Sequence, residues 1–200
     1  MSPLARALLR TVPWAPVVGM TAGVAVLFGC AILLRHSAIS GLLVVVALGA
    51  GAGCAAFLLD EPAVEIADAT PASRGRRAGW RVALAPLVVG VLVVGLLALG
   101  GLDPATHWSR LWVVGLAGTL LGLGAAAGLK RGGRAAPGDL AAVLACGAVV
   151  LIALANPLQR WVPGLPLGAG ESAARSVVMW VALGVVGALA TVALERDPGR

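Results

Sequence analysis

The sequence has few charges, and none inside its long apolar stretches. Only 12% of its residues are Asp, Glu, Lys or Arg, against 60% hydrophobic. Six runs contain no Asp, Glu, Lys, Arg or His: Val17–Leu34, Ile39–Leu59, Val82–Leu102, Leu111–Leu129, Leu140–Leu158 and Ser176–Leu194. Each holds about 18–21 residues, and at about 1.5 Å rise per residue that crosses a hydrocarbon layer of ~30 Å. In lipid every backbone amide must be satisfied internally, so the runs are expected to be helices. The chain therefore reads as an all-α polytopic membrane protein with six transmembrane helices. Too little remains for a separate soluble domain, so residues 1–200 form one transmembrane domain.

Other absences narrow the chemistry. No Walker A loop is present: the single lysine, Lys130, follows Leu129 where the motif requires glycine. HExxH and GxSxG are missing, as are paired carboxylates at the outer face, so the chain does not read as an enzyme. His36 and His107 fall at the ends of different spans, with Asp103 near the second, and read as interfacial residues. Transporters driven by protons or sodium generally keep ionisable groups within their spans. Here the buried polar candidates are neutral: Thr21, Ser40, Thr119 and Thr191. Cys30, Cys54 and Cys146 show no CxxC spacing and read as packing residues without a redox or metal role. Met1–Pro16 has no continuous apolar core, so no cleavable signal peptide is expected there.

The charges that are present carry orientation. With a cytoplasmic N-terminus, the inner segments 1–16, 60–81, 130–139 and 195–200 hold 11 of the 15 basic residues. The outer ones hold Arg35, Arg110, Arg160 and Arg175. The positive-inside bias predicts that both termini are cytoplasmic. Trp14 and Trp80 then fall near the inner interface, and Trp108, Trp112, Trp161 and Trp180 near the outer one, as amphipathic indoles prefer. The formal charge of +6 does not point to nucleic acid, because the arginines sit at span ends without the interleaved aromatics that base stacking needs. Glycine is abundant: Gly19/Gly23, Gly49/Gly53, Gly118/Gly122 and Gly124/Gly128 form GxxxG pairs, which predict close helix packing.

The most polar inner segment, DEPAVEIADATPASRGRRAGWR at 60–81, joins the second and third spans. Asp60 is expected to cap a short helix with Pro62 in its first turn, ended by Thr70-Pro71. At about 100° per residue Glu61, Glu65 and Asp68 share one face, opposite Ala63, Ile66 and Ala67. Arg74, Arg76, Arg77 and Arg81 then return the chain to the membrane. The pattern fits a surface helix that docks a cytoplasmic partner; the plainer reading is a solvated loop with positive-inside cations. Residues 1–16 fit an interfacial helix, with Leu4, Ala7 and Leu8 on one side and Arg6 and Arg10 elsewhere. The outer segment 156–176 is apolar yet broken by Pro157, Pro163 and Pro166, which suits either a dip into the outer leaflet or an interfacial loop.

This order of parts resembles the type-two ABC export permeases: an interfacial helix, six spans, a coupling helix between spans two and three, and a partly re-entrant segment before span six. The loop 60–81 is also similar to that of small, Ala/Val/Leu/Gly-rich actinobacterial ABC permease-like membrane proteins. There an acidic residue precedes Thr-Pro or Ser-Pro and an arginine cluster, matching Glu65, Thr70-Pro71 and Arg74–Arg77 here. The resemblance implies a bacterial cell-membrane permease contacting a separate cytoplasmic ATPase through Glu61, Glu65, Asp68, Thr70, Pro71, Arg74, Arg76 and Arg77. It also implies a second permease subunit, identical or not. ATP and Mg would be bound by the ATPase, and no cofactor by this chain. The small-residue spans suit a lipid-like or amphipathic export substrate. Larger members have an extracellular domain that this chain lacks. The alternative is a non-transporting scaffold or regulatory subunit that uses loop 60–81 to hold a cytoplasmic protein.

Overall fold

A computed structural model describes residues 14–60, 85–102, 110–134, 136–155, 163–166 and 170–194. Among them, six α-helices follow one another: α1 (Trp14–Leu33), α2 (Ala38–Ala56), α3 (Ala85–Leu102), α4 (Leu111–Arg131), α5 (Gly138–Leu154) and α6 (Glu171–Leu194). A 3-10 turn, Phe57–Leu59, continues α2. Four segments, Trp14–Leu33, Ile39–Leu59, Leu111–Arg131 and Glu171–Leu194, are long and apolar enough to cross a membrane. Val89–Leu99 within α3 and the whole of α5 are shorter apolar helices. The chain is a helical, multi-pass membrane protein.

The helix centres coincide with the charge-free runs, whereas several ends differ from expectation, three of them for clear local reasons. The fifth span was expected to reach Leu158, but α5 stops at Leu154. Asn156-Pro157 lies just beyond, and proline both lacks an N–H and pushes the residue before it out of helical conformation. The sixth span was expected to start at Ser176, but α6 starts at Glu171. Its two charges do not break the helix, because Arg175 pairs with Glu171 at 3.1 Å, one turn apart on an exposed face. The fourth runs past Leu129 to Arg131 and closes on a glycine turn. Gly133 takes φ +89, the N–H of Arg134 reaches back to the Leu129 carbonyl, and that of Gly133 to Lys130. This is the six-to-one, five-to-two bonding of a Schellman end, which needs a residue without a Cβ at the left-handed position.

Helix α2 is the centre of the bundle. It packs on α1, α3, α4 and α5. Lipid tails are as apolar as leucine, so these contacts depend on close packing and not on hydrophobic burial. Glycine provides it. A Cβ on Gly49 would lie 3.1 Å from the Cys146 carbonyl of α5, and one on Gly53 3.1 Å from the Ala142 carbonyl. Those two contacts make α2 and α5 antiparallel. On another side of α2, Gly51 receives the Leu92 side chain of α3, while Gly118 and Gly122 of α4 pack against Ala52. Helix α1 is antiparallel to α2. Ser40 Oγ of α2 donates to the Ala31 carbonyl at 3.0 Å, and near the other end Cys54 Sγ donates to the Val17 carbonyl at 3.5 Å.

Helix α6 is attached differently. Among the described residues its main partner is α4, and the two run parallel: Gly184 meets Ala117, Gly187 meets the Leu120 backbone, and Leu194 approaches Gly128. From the other side, a Cβ on Gly124 would stand 2.8 Å from the Gly187 carbonyl. The bundle thus has a near end, with Trp14, Leu59, Arg131, Gly138 and Leu194, and a far end, with Leu33, Ala38, Leu111, Leu154 and Glu171.

Candidate functional site

The docking residues expected from sequence, Glu61, Glu65, Asp68, Thr70, Pro71, Arg74, Arg76 and Arg77, lie outside the described residues, as does the interfacial segment 1–13. The described structure does reach the root of the 60–81 segment at Asp60. The helix that Asp60 was expected to cap lies outside the described residues. Within them its carboxylate caps α5: the Gly138 N–H donates to Asp60 Oδ1 at 2.7 Å.

The reasons are local. Helix α5 has Pro137 at its N-cap, which offers no side-chain acceptor. A helix start leaves four N–H groups without intrahelical partners and carries partial positive charge, so a carboxylate from elsewhere is stabilising there. Gly138 is buried because Asp60 Oδ2 and the Phe57 ring occupy the space a Cβ would take. The 3-10 turn Phe57–Leu59 holds the joint in place by touching α1, α2, α4 and α5 at once, with Leu58 and Leu59 fully buried. The segment that follows Asp60 is therefore rooted at a point where four helices meet.

The hydroxyls of the helices are mostly consumed within the fold. Thr21 donates to Val17 at 2.7 Å, Thr119 to Leu116 at 2.7 Å and Thr191 to Gly187 at 2.9 Å. Ser176 is fully buried, and its Oγ has no hydrogen-bond partner among the described residues. No group of His, Cys, Asp and Glu among the described residues is arranged to hold a metal ion.

At the far end, α5 and α6 are bridged by a short piece of the outer segment. Trp180, expected near the membrane interface, is fully buried, and its indole N–H donates to the Gly164 carbonyl at 2.7 Å. Trp180 lies nine residues into α6, about 14 Å along the helix from Glu171. Gly164 also presses on the Ile152 and Ala153 carbonyls, which no larger residue would permit. Residues 163–166 therefore fill the gap left where α5 ends early beside the longer α6.

Next to Trp180, an apolar groove of about 200 Å³ runs between α4 and α6. Trp112, Leu116 and Leu120 form one wall, and Trp180, Val181 and Val185 the other. Its floor is the contact between Gly184 and Ala117, where a Cβ on the glycine would lie 3.2 Å from the Ala117 Cα. The sequence signal for the joint is an aspartate at the end of an apolar run and a distant helix without its own cap. The groove has no comparable signal.

Comparison with protein-family models, curated proteins and solved structures gave no match to this chain.

Proposed function

We propose that this chain is the permease subunit of an ABC transporter in a bacterial cell membrane, exporting a lipid-like or amphipathic compound with a second permease subunit. Six helices cross the membrane with both termini in the cytoplasm. Helix α3 has 18 residues and α5 has 17, about 27 and 26 Å, which a bilayer accommodates by slight thinning. ATP and Mg are bound by a cytoplasmic ATPase that docks on residues 61–77. The observation carrying this reading is the acidic face Glu61, Glu65 and Asp68, followed by Thr70-Pro71 and the arginine run, in the connection between α2 and α3. That connection is rooted at Asp60, whose bond to α5 offers a route from a docked partner into the bundle.

The test is co-purification of the ATPase. Glu65→Arg should reduce its recovery at least tenfold, because reversing a desolvated interfacial charge costs about 2 kcal/mol or more. The same reversal at Glu171, on the far end, should leave recovery unchanged. Equal recovery with both variants would remove the docking role of the loop. The apolar interior, with Thr21, Thr119 and Thr191 bonded to their own helices, favours a second reading, a scaffold that holds a cytoplasmic protein without transport. A co-eluting partner that lacks GxxxxGK[ST] would decide for the scaffold.

A further inference from the structure

We propose that the groove between α4 and α6 is a binding site for one acyl chain of a bilayer phospholipid. The inference does not depend on the transporter reading. Three observations fix the occupant. The first is depth and direction. Between Trp112 and Leu120 the groove follows α4 for about 12 Å, starting one residue inside its far end. One leaflet of hydrocarbon is ~15 Å thick, so the groove lies along a lipid tail and within a single leaflet.

The second is chemistry. The lining is hydrocarbon apart from indole N–H groups, and that of Trp180 is already donated to Gly164 at 2.7 Å. Trp112 stands at the far-end mouth and is 46% exposed, the place where an indole meets the headgroup region. A polar ligand would have no partner deeper in the groove, whereas an apolar one needs none.

The third is width. The two helices touch at Gly184 and Ala117, where a Cβ on the glycine would lie 3.2 Å from the Ala117 Cα, so the groove narrows to a closed floor between them. A helix of a second copy, about 10–12 Å across, would rest on the rims and leave the floor empty. A single methylene chain reaches it.

The experiment uses the full chain, reconstituted in palmitoyl-oleoyl phosphatidylcholine and phosphatidylglycerol vesicles, extracted in mild detergent and examined by native mass spectrometry. The wild type should retain one phospholipid per chain. Val185→Trp, which fills the groove from its rim, and Ala188→Phe, which fills it from deeper on α6, should each lower the lipid-bound fraction at least fivefold. Val186→Trp, one residue along on the exposed face of α6 and outside the groove, should retain the lipid. Helicity by circular dichroism identifies any variant that fails to fold, and the other groove variant then decides. Absence of retained lipid on the wild type would overturn the proposal, as would equal retention in all folded variants. A dimer that disappears in Val185→Trp while no lipid is bound would assign the groove to a second copy instead.

Discussion

Helices α1 and α2 are both rich in glycine, and they use it in opposite ways. In α2 the Cβ positions of Gly49, Gly51 and Gly53 all meet neighbouring atoms at or near 3 Å, on two sides of the helix. In α1, Gly19, Gly23 and Gly29 face open space. Correspondingly, 72% of the apolar stretch in Ile39–Leu59 is buried, against 22% in α1. Both helices carry a GxxxG pair, so the motif alone does not say where a helix packs. A missing side chain matters only where other atoms occupy the space it leaves. The most crowded contacts of one helix with another's backbone are Gly122 against the Ala52 carbonyl of α2, and Gly187 against the Leu120 backbone.

The same substitution should therefore change sign between the two regions. Gly122→Ala and Gly187→Ala each place a Cβ against rigid backbone, and each should destabilise by about 1–3 kcal/mol or more. Gly19→Ala and Gly23→Ala meet nothing, and should stabilise by up to about 1 kcal/mol, the ordinary gain of alanine over glycine in a helix. Thermal unfolding in detergent followed by size-exclusion fluorescence separates the two outcomes. Equal losses at all four positions would erase the distinction between α1 and the α2–α4 core.

A smaller effect is expected at the near-end joint. Asp60→Ala should cost about 0.5–2 kcal/mol, the worth of a helix cap. It should also expose the Gly138 amide to hydrogen exchange, while Asp60→Asn keeps an acceptor and part of the protection. Undiminished protection of Gly138 in the alanine variant would show that the cap does not hold α5. Smaller again is the hydrogen bond of Trp180: Trp180→Phe keeps an aromatic ring but loses the N–H that Gly164 accepts, a bond worth about 0.5–1.5 kcal/mol. Residues 163–166 should then open to proteolysis or exchange sooner than the helices around them. If they stay as protected as α6, the indole is not what ties the segment down.

The helix centres were legible because a charge at membrane depth is costly, so charge-free runs mark the spans. The ends were not, because they depend on single local events: the left-handed Gly133, the proline after α5, and the Glu171–Arg175 pair that extends α6. The cap that Asp60 gives to α5 was not legible either, because the helix begins 78 residues away. Only the missing cap at Pro137 hinted at the need. Trp180 shows the same limit: an indole near a span end suits the interface, and nothing nearby in sequence announces that Gly164 folds back to accept its N–H. Which glycines lie inside, and hence where a groove opens beside Gly184, is a property of the assembled bundle.

The most direct measurement is cysteine accessibility, because the docking role of 61–77 requires that segment to face the cytoplasm. With Cys30, Cys54 and Cys146 replaced, single cysteines at positions 75 and 168 would be tested with a membrane-impermeant thiol reagent. The account predicts that position 168 reacts in intact cells and position 75 only after permeabilisation. Labelling of position 75 from outside, with position 168 protected until the membrane is opened, would contradict it.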